Sequence, residues 1–132
     1  MIHGSCLCGN VSYEIDGPVG EIIHCHCVTC RKSQGSAFSS LARVADEHFH
    51  LYGEDFLNSY ESSPGKERFF CTCCGAQIYG KRDGSDYVML RLGTVNDEMD
   101  TEESHHIWIS QKALWYTIDS HLPQHPEFQE EE

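Results

Sequence analysis

The sequence predicts a mainly β fold of short antiparallel strands, braced by cysteine knuckles and with little helix. Three observations predict it. Short β-favouring runs such as Val11–Ile15 and Tyr87–Leu92 are separated by Gly, Pro, Asn and Asp at turn spacing. No segment sustains the apolar period of an amphipathic helix. The cysteines fall into three tight groups, Cys6 with Cys8, Cys25 with Cys27 and Cys30, and Cys71 with Cys73 and Cys74, spaced as metal knuckles are spaced.

With 132 residues, 39% of them hydrophobic, the chain can build one core and one domain. That domain is expected over residues 1–122, with an acidic, proline-containing and loose tail over 123–132. Nine basic residues against 21 acidic ones give a net charge of −12, which argues against nucleic acid and anionic membranes as partners, since both demand basic patches. The only adjacent basic pairs are Arg31-Lys32 and Lys81-Arg82. Met1-Ile2-His3-Gly4 does not open a basic-then-apolar leader, no run reaches membrane-spanning length, and a cytoplasmic location is expected. There, eight cysteines suit metal binding better than a disulfide framework, and Cys-x-Cys pairs bridge poorly.

In order along the chain, Cys6-Leu7-Cys8-Gly9-Asn10 is a tight knuckle leading into a strand whose Val11, Tyr13 and Ile15 alternate. Gly17-Pro18-Val19-Gly20 turns the chain, and Glu21–His24 is a strand that delivers Cys25, Cys27 and Cys30. Thr29–Gln34 reads as a helical turn or two, stopped at Gly35. Short strands are expected over Phe38–Val44, Phe49–Tyr52, Phe56–Tyr60 and Glu67–Phe70, the last ending in the knuckle Cys71-Thr72-Cys73-Cys74-Gly75. Gln77–Gly80 and Tyr87–Leu92 flank the turn Arg82-Asp83-Gly84-Ser85 as a hairpin. After a polar, acidic stretch over 96–105, apolar character returns at His106–Ile109 and Leu114–Ile118, where Trp108 and Trp115 are expected in the core.

Cys6 and Cys8 with Cys71 and Cys74 make two pairs from distant parts of the chain, the usual source of a closed four-cysteine site. Cys71 with Cys73 is the alternative pairing, although Cys-x-x-Cys-Gly is the commoner knuckle. Cys25, Cys27 and Cys30 would leave one coordination position open, the arrangement of a reactive site as opposed to a structural one. Three thiolates bring a zinc ion to a formal charge of about −1, a weak Lewis acid toward water that favours a soft thiol. His24 and His26 either touch this metal or pack and hydrogen bond beside it. Arg31 and Lys32 either attract an anionic carboxylate or form a solvated turn. His105 and His106 read as surface or supporting residues and not as ligands.

Gly4-Ser-Cys-Leu-Cys-Gly-Asn-Val-Ser-Tyr13, Cys25-His-Cys-Val-Thr-Cys-Arg-Lys-Ser-Gln-Gly35 and Phe70-Cys-Thr-Cys-Cys-Gly75 together resemble the glutathione-dependent formaldehyde-activating enzyme family, which includes centromere protein V. His106-Ile-Trp-Ile, Lys112-Ala-Leu-Trp115 and Leu122-Pro123 extend the resemblance nearly to the end. It implies an Mss4-like, mainly β zinc-knuckle fold with two zinc ions per chain. The structural one would be held by Cys6, Cys8, Cys71 and Cys74, and the reactive one by Cys25, Cys27 and Cys30. It also implies a carbon–sulfur lyase that makes or breaks S-(hydroxymethyl)glutathione from glutathione and formaldehyde, with glutathione as the small-molecule partner and Arg31 and Lys32 as its contacts. Cys73 departs from the usual filler between the last two ligands.

Other functions leave different marks. A zinc nucleobase deaminase needs His-x-Glu with Pro-Cys-x-x-Cys, and His125-Pro-Glu127 has no such companion. A thioredoxin-like enzyme would need helices around its Cys-x-x-Cys, and a methionine sulfoxide reductase would need a free nucleophile such as Cys73. The main rival is a non-catalytic, zinc-stabilised binding module.

Overall fold

The computed structural model describes residues 1–129 and is mainly β, with ten strands and one α-helix among those residues. The fold class is the expected one, and most strands fall where alternation and turn residues place them. Two compact units form, one from Met1–Gly20 with Ala42–Asp100, the other from Glu21–Leu41 with the chain from Thr101 onward. No helix among the described residues is long and apolar enough to cross a membrane.

In the first unit, β1 (Ile2–Ser5), β2 (Ser12–Ile15) and β5 (Phe49–Tyr52) form an antiparallel sheet in the order β1-β2-β5. Alternation decides which face of β2 is inside: Tyr13 and Ile15 are buried while Ser12 and Glu14 are partly exposed. An antiparallel ladder runs β6 (Leu57–Ser63), β7 (Lys66–Cys71), β8 (Gln77–Arg82) and β9 (Tyr87–Arg91). Val11, Tyr13, Ile15, Val44, Ile78, Tyr79, Val88 and Leu90 bury one core together with Cys6 and Cys71. At roughly 1.5–3 kcal/mol for each large apolar side chain fully buried, that core holds two cysteines from distant parts of the chain in one cluster.

In the second unit, β3 (Ile22–Cys25) pairs antiparallel with Ser39–Leu41 of β4 (Ser39–Ala45) and parallel with β10 (Glu103–Ile107). The parallel register sets Cys25 opposite Ile107 and His24 opposite His106. Helix α1 (Val28–Gln34) opens directly after β3. The segment expected to be loose makes main-chain hydrogen bonds along β10 and beyond: His106 N–H to the Pro123 carbonyl at 2.9 Å, His125 N–H to His106 at 3.0 Å and Trp108 N–H to Glu127 at 2.9 Å. Residues 130–132 of that expected tail lie outside the described residues.

Two expectations about the last third of the chain are corrected. Trp115 is 73% exposed, and Trp108 is only partly buried, its ring 5.3 Å from Phe128. Neither is among the buried core residues, and the chain after Ile107 turns through Trp108 at a φ of 58°. His105 and His106 are buried, and of the two roles expected of them, surface or supporting, His106 takes the supporting one through its bond to His26.

Candidate metal centres

Two groups of thiols converge. In the first unit, Cys6, Cys8, Cys71 and Cys74 lie with their sulfurs within 4.8 Å of one another. The two chain reversals that carry them are alike. Cys6 N–H bonds the Val11 carbonyl at 2.9 Å and Gly9 N–H the Cys6 carbonyl at 3.3 Å, while Cys71 N–H bonds Ala76 at 3.0 Å and Gly75 N–H returns to Cys71 at 2.8 Å. Both reversals turn on a glycine with positive φ, Gly9 at 84° and Gly75 at 77°, a conformation that costs glycine little and other residues more. Cys73 is exposed and outside the group.

The donor set fits a thiophilic metal ion. Four sulfurs bound tetrahedrally at about 2.3 Å would stand about 3.8 Å apart, and here Cys6 and Cys8 are separated by 3.6 Å and Cys8 and Cys71 by 3.7 Å. The surroundings favour thiolates. Main-chain N–H groups, those of Ala76 and then Cys8, lower the Cys74 thiol to about 6. Burial opposes ionisation of Cys6, but the Val11 N–H, at 3.3 Å from its sulfur, and the neighbouring thiols leave it lowered. No disulfide joins any of the eight cysteines, all of which are among the described residues.

In the second unit, Cys25, Cys27 and Cys30 form a group of three. Cys25 ends β3, Cys27 caps helix α1, and Cys30 lies one turn inside it, its N–H donating to the Cys27 sulfur at 3.3 Å. Cys25 and Cys30 are buried, whereas Cys27 is half-exposed, so the cluster meets solvent on the side of Cys27. Hydrogen bonding to the Cys27 and Cys30 sulfurs, then burial, raises the Cys25 thiol. A cation among these sulfurs would reverse that direction.

The flanking histidines point their ring nitrogens elsewhere. His24 bonds Ser40 Oγ through Nδ1 at 2.9 Å and Glu103 Oε1 through Nε2 at 2.6 Å. His26 Nε2 and His106 Nδ1 share a hydrogen bond of 2.8 Å, and His106 Nε2 reaches Ser120 Oγ at 3.1 Å. Burial, with the His106 and His24 rings beside it, lowers His26 to about 4, so it is neutral at pH 7. These bonds lock the chain on both sides of Cys25, and neither histidine joins the group of three thiols. Arg31 is half-buried with Nε lacking a hydrogen-bond partner, and Lys32 is exposed. Both lie in the last turn of α1.

Sequence reasoning missed the support from the far end of the chain. Gln111 Oε1 accepts from the Val28 N–H at 2.9 Å, His106 backs His26, and Tyr116 stands 6.4 Å from the His26 ring. Two histidines spaced at 24, on β3, and 26, just beyond its end, with a second pair at 105 and 106 were the one visible signal.

Known proteins resemble this chain over most of its length. The model of a family described as glutathione-dependent formaldehyde-activating enzyme matches residues 1–111. A Fusarium vanettenii protein provisionally named as a glutathione-dependent formaldehyde-activating enzyme is 26% identical over 102 residues, covering 74% of this chain and 54% of that relative. The chain thus spans about half the length of that protein. Among solved structures, a Rhodobacter sphaeroides protein at 18% identity superposes with a TM-score of 0.62, covering 77% of this chain and 99% of its own, and shares the fold.

Proposed function

This chain belongs to the glutathione-dependent formaldehyde-activating enzyme family, and from that premise we propose that it is a carbon–sulfur lyase that forms or cleaves S-(hydroxymethyl)glutathione. The observation that carries the reading is a cluster of three thiols, two buried and one half-exposed, open on one side. Zinc held by Cys25, Cys27 and Cys30 would supply an open position where a substrate thiol loses its proton readily. A second zinc held by Cys6, Cys8, Cys71 and Cys74 would brace the first unit.

The chain's own residues then have distinct tasks. Burial of Cys25 and Cys30 keeps water from the inner face of the cluster, and the Cys30 N–H supports negative charge on the Cys27 sulfur. Arg31 and Lys32 offer two cations to the carboxylates of glutathione. His26, neutral and tied to His106, holds the Cys25–Cys27 backbone in place. In the forward direction the thiol sulfur bonds the carbonyl carbon, and the proton given up by the thiol ends on the carbonyl oxygen; cleavage reverses both. A cytoplasmic setting, where thiols stay reduced, suits eight unbridged cysteines.

Cobalt in place of zinc makes the test visible, because its ligand-field bands respond to a change of ligand. Titration with glutathione is expected to shift the bands, and S-methylglutathione, whose sulfur cannot become a thiolate, is expected to leave them unchanged. If both peptides act alike, or neither acts, the lyase reading fails and both clusters serve only to hold a binding module together.

A further inference from the structure

The first unit carries a cavity that the carbon–sulfur chemistry does not use. It measures about 370 Å³, within the roughly 300–1,000 Å³ of small-molecule sites. Register builds its wall: Ser59 on β6, Phe69 on β7 and Tyr79 on β8 are partners in one row, so their side chains share a face of the ladder. Leu51, Leu57 and Glu54, the first residue of a short 3-10 turn, line the cavity with them. The rings of Phe69 and Tyr79 stack at 4.5 Å and 12°, and Phe49 meets Tyr79 edge-on at 5.2 Å.

Two features set this wall apart from a dent in the surface. Tyr79 is only 9% exposed, yet no hydrogen bond joins its hydroxyl to any described residue, whereas the buried Tyr13 hydroxyl pairs with Thr94 Oγ1 at 2.7 Å. A phenol buried this deeply ordinarily has a partner. Charge is the second feature. No basic side chain lines the cavity, and burial, with the carboxylates of Glu54, Asp46 and Glu67, pushes the Tyr79 phenol up to about 12. Lys81 neutralises Asp46. Glu54 and Glu67 have no ion-pair partner among the described residues, and Ser59 Oγ, donating to Glu67 Oε2 at 2.6 Å, ties Glu67 to the row.

We propose that this cavity binds an organic ammonium ion with a compact apolar body. The ammonium group pairs with Glu54 and donates to the Tyr79 hydroxyl oxygen, and the apolar body lies on Leu51, Leu57 and the Phe69 ring, whose electron-rich face attracts positive charge. An anion such as glutathione meets only negative charge there, so the site and its test stand apart from the carbon–sulfur chemistry proposed above.

The experiment is calorimetric titration of the full metal-loaded chain at about 0.15 M salt, where diffuse surface charge is largely screened. Three probes of one shape are compared: 2-phenylethylammonium, the neutral 2-phenylethanol and the anionic 3-phenylpropionate. A cation on an aromatic face contributes about two- to fivefold at an exposed site, and a part-exposed ion pair about as much. The ammonium is therefore expected to bind about tenfold more tightly than the alcohol, and the carboxylate more weakly than either. Glu54→Gln is expected to cut the ammonium-to-alcohol ratio to about threefold. Tyr79→Phe is expected to weaken the ammonium about threefold and to leave the thermal midpoint unchanged or higher, since it removes no bond within the protein. Glu98→Gln, which changes net charge as Glu54→Gln does but lies outside the lining, is expected to leave the ratio as it was. Equal binding of ammonium and alcohol, no binding of the ammonium, insensitivity to both Glu54→Gln and Tyr79→Phe, or an equal loss in Glu98→Gln each overturns the inference.

Discussion

Gly53 shows how closely single atoms are set around the first cluster. Its φ is +85°, and a Cβ built there would lie 1.9 Å from the carbonyl oxygen of Asn10, two residues beyond Cys8. The obstructing atom is main chain in a knuckle fixed by its own hydrogen bonds, so no rotamer change can relieve the clash. Gly53→Ala is therefore expected to cost more than about 2 kcal/mol, read as a lower thermal midpoint, and to loosen the metal proposed for Cys6 and Cys8, read as faster transfer to a chelator. A variant that melts with the parent would mean that Asn10 yields freely.

Among elements, the thiol pairs were the most legible, because two cysteines one or two residues apart on a tight turn already bring their sulfurs close. Cys6 with Cys8 and Cys71 with Cys74 converge, and Cys73 stands apart. Strand β2 was legible for a similar reason: Tyr13 and Ile15 alternate with polar residues, and period alone assigns their face. What escaped was decided between distant segments. Nothing local in Glu103–Ile107 says that it pairs parallel to β3, so the burial of His105 and His106 could not be read, and Trp115 was assigned to the core on apolar character alone. The division of labour between the knuckles is itself testable. Cys6→Ala or Cys71→Ala removes a ligand within the buried core of the first unit and is expected to unfold or aggregate the protein. Cys30→Ala, at the second cluster, is expected to leave a folded chain that has lost its more labile metal. Equal losses in thermal melts would erase the distinction between a structural and a reactive site.

For the whole molecule, seven of the eight cysteines fall into the two groups, and the expected metal content follows from that count. Elemental analysis should return close to two zinc ions per chain, one removed by chelator well before the other; a single ion at full loading would end the two-site reading. A net charge of −12 adds a general attraction for cations but cannot choose between the sites. Separation along the chain can, and it acts first during synthesis. Cys8 and Cys71 are 63 residues apart, which a ribosome adding about 5–20 residues per second covers in roughly 3–13 s. Over that interval the emerging polypeptide carries Cys6 and Cys8 without their partners, whereas Cys25, Cys27 and Cys30 follow one another closely enough to gather as soon as they leave the exit tunnel. Their backing from His106 comes 80 residues after His26. On the proposed two-zinc reading, the trio would thus be the first set of thiols able to capture a metal and the last to be locked in place, so that early in its life the protein would hold its ion in the site proposed to exchange a ligand.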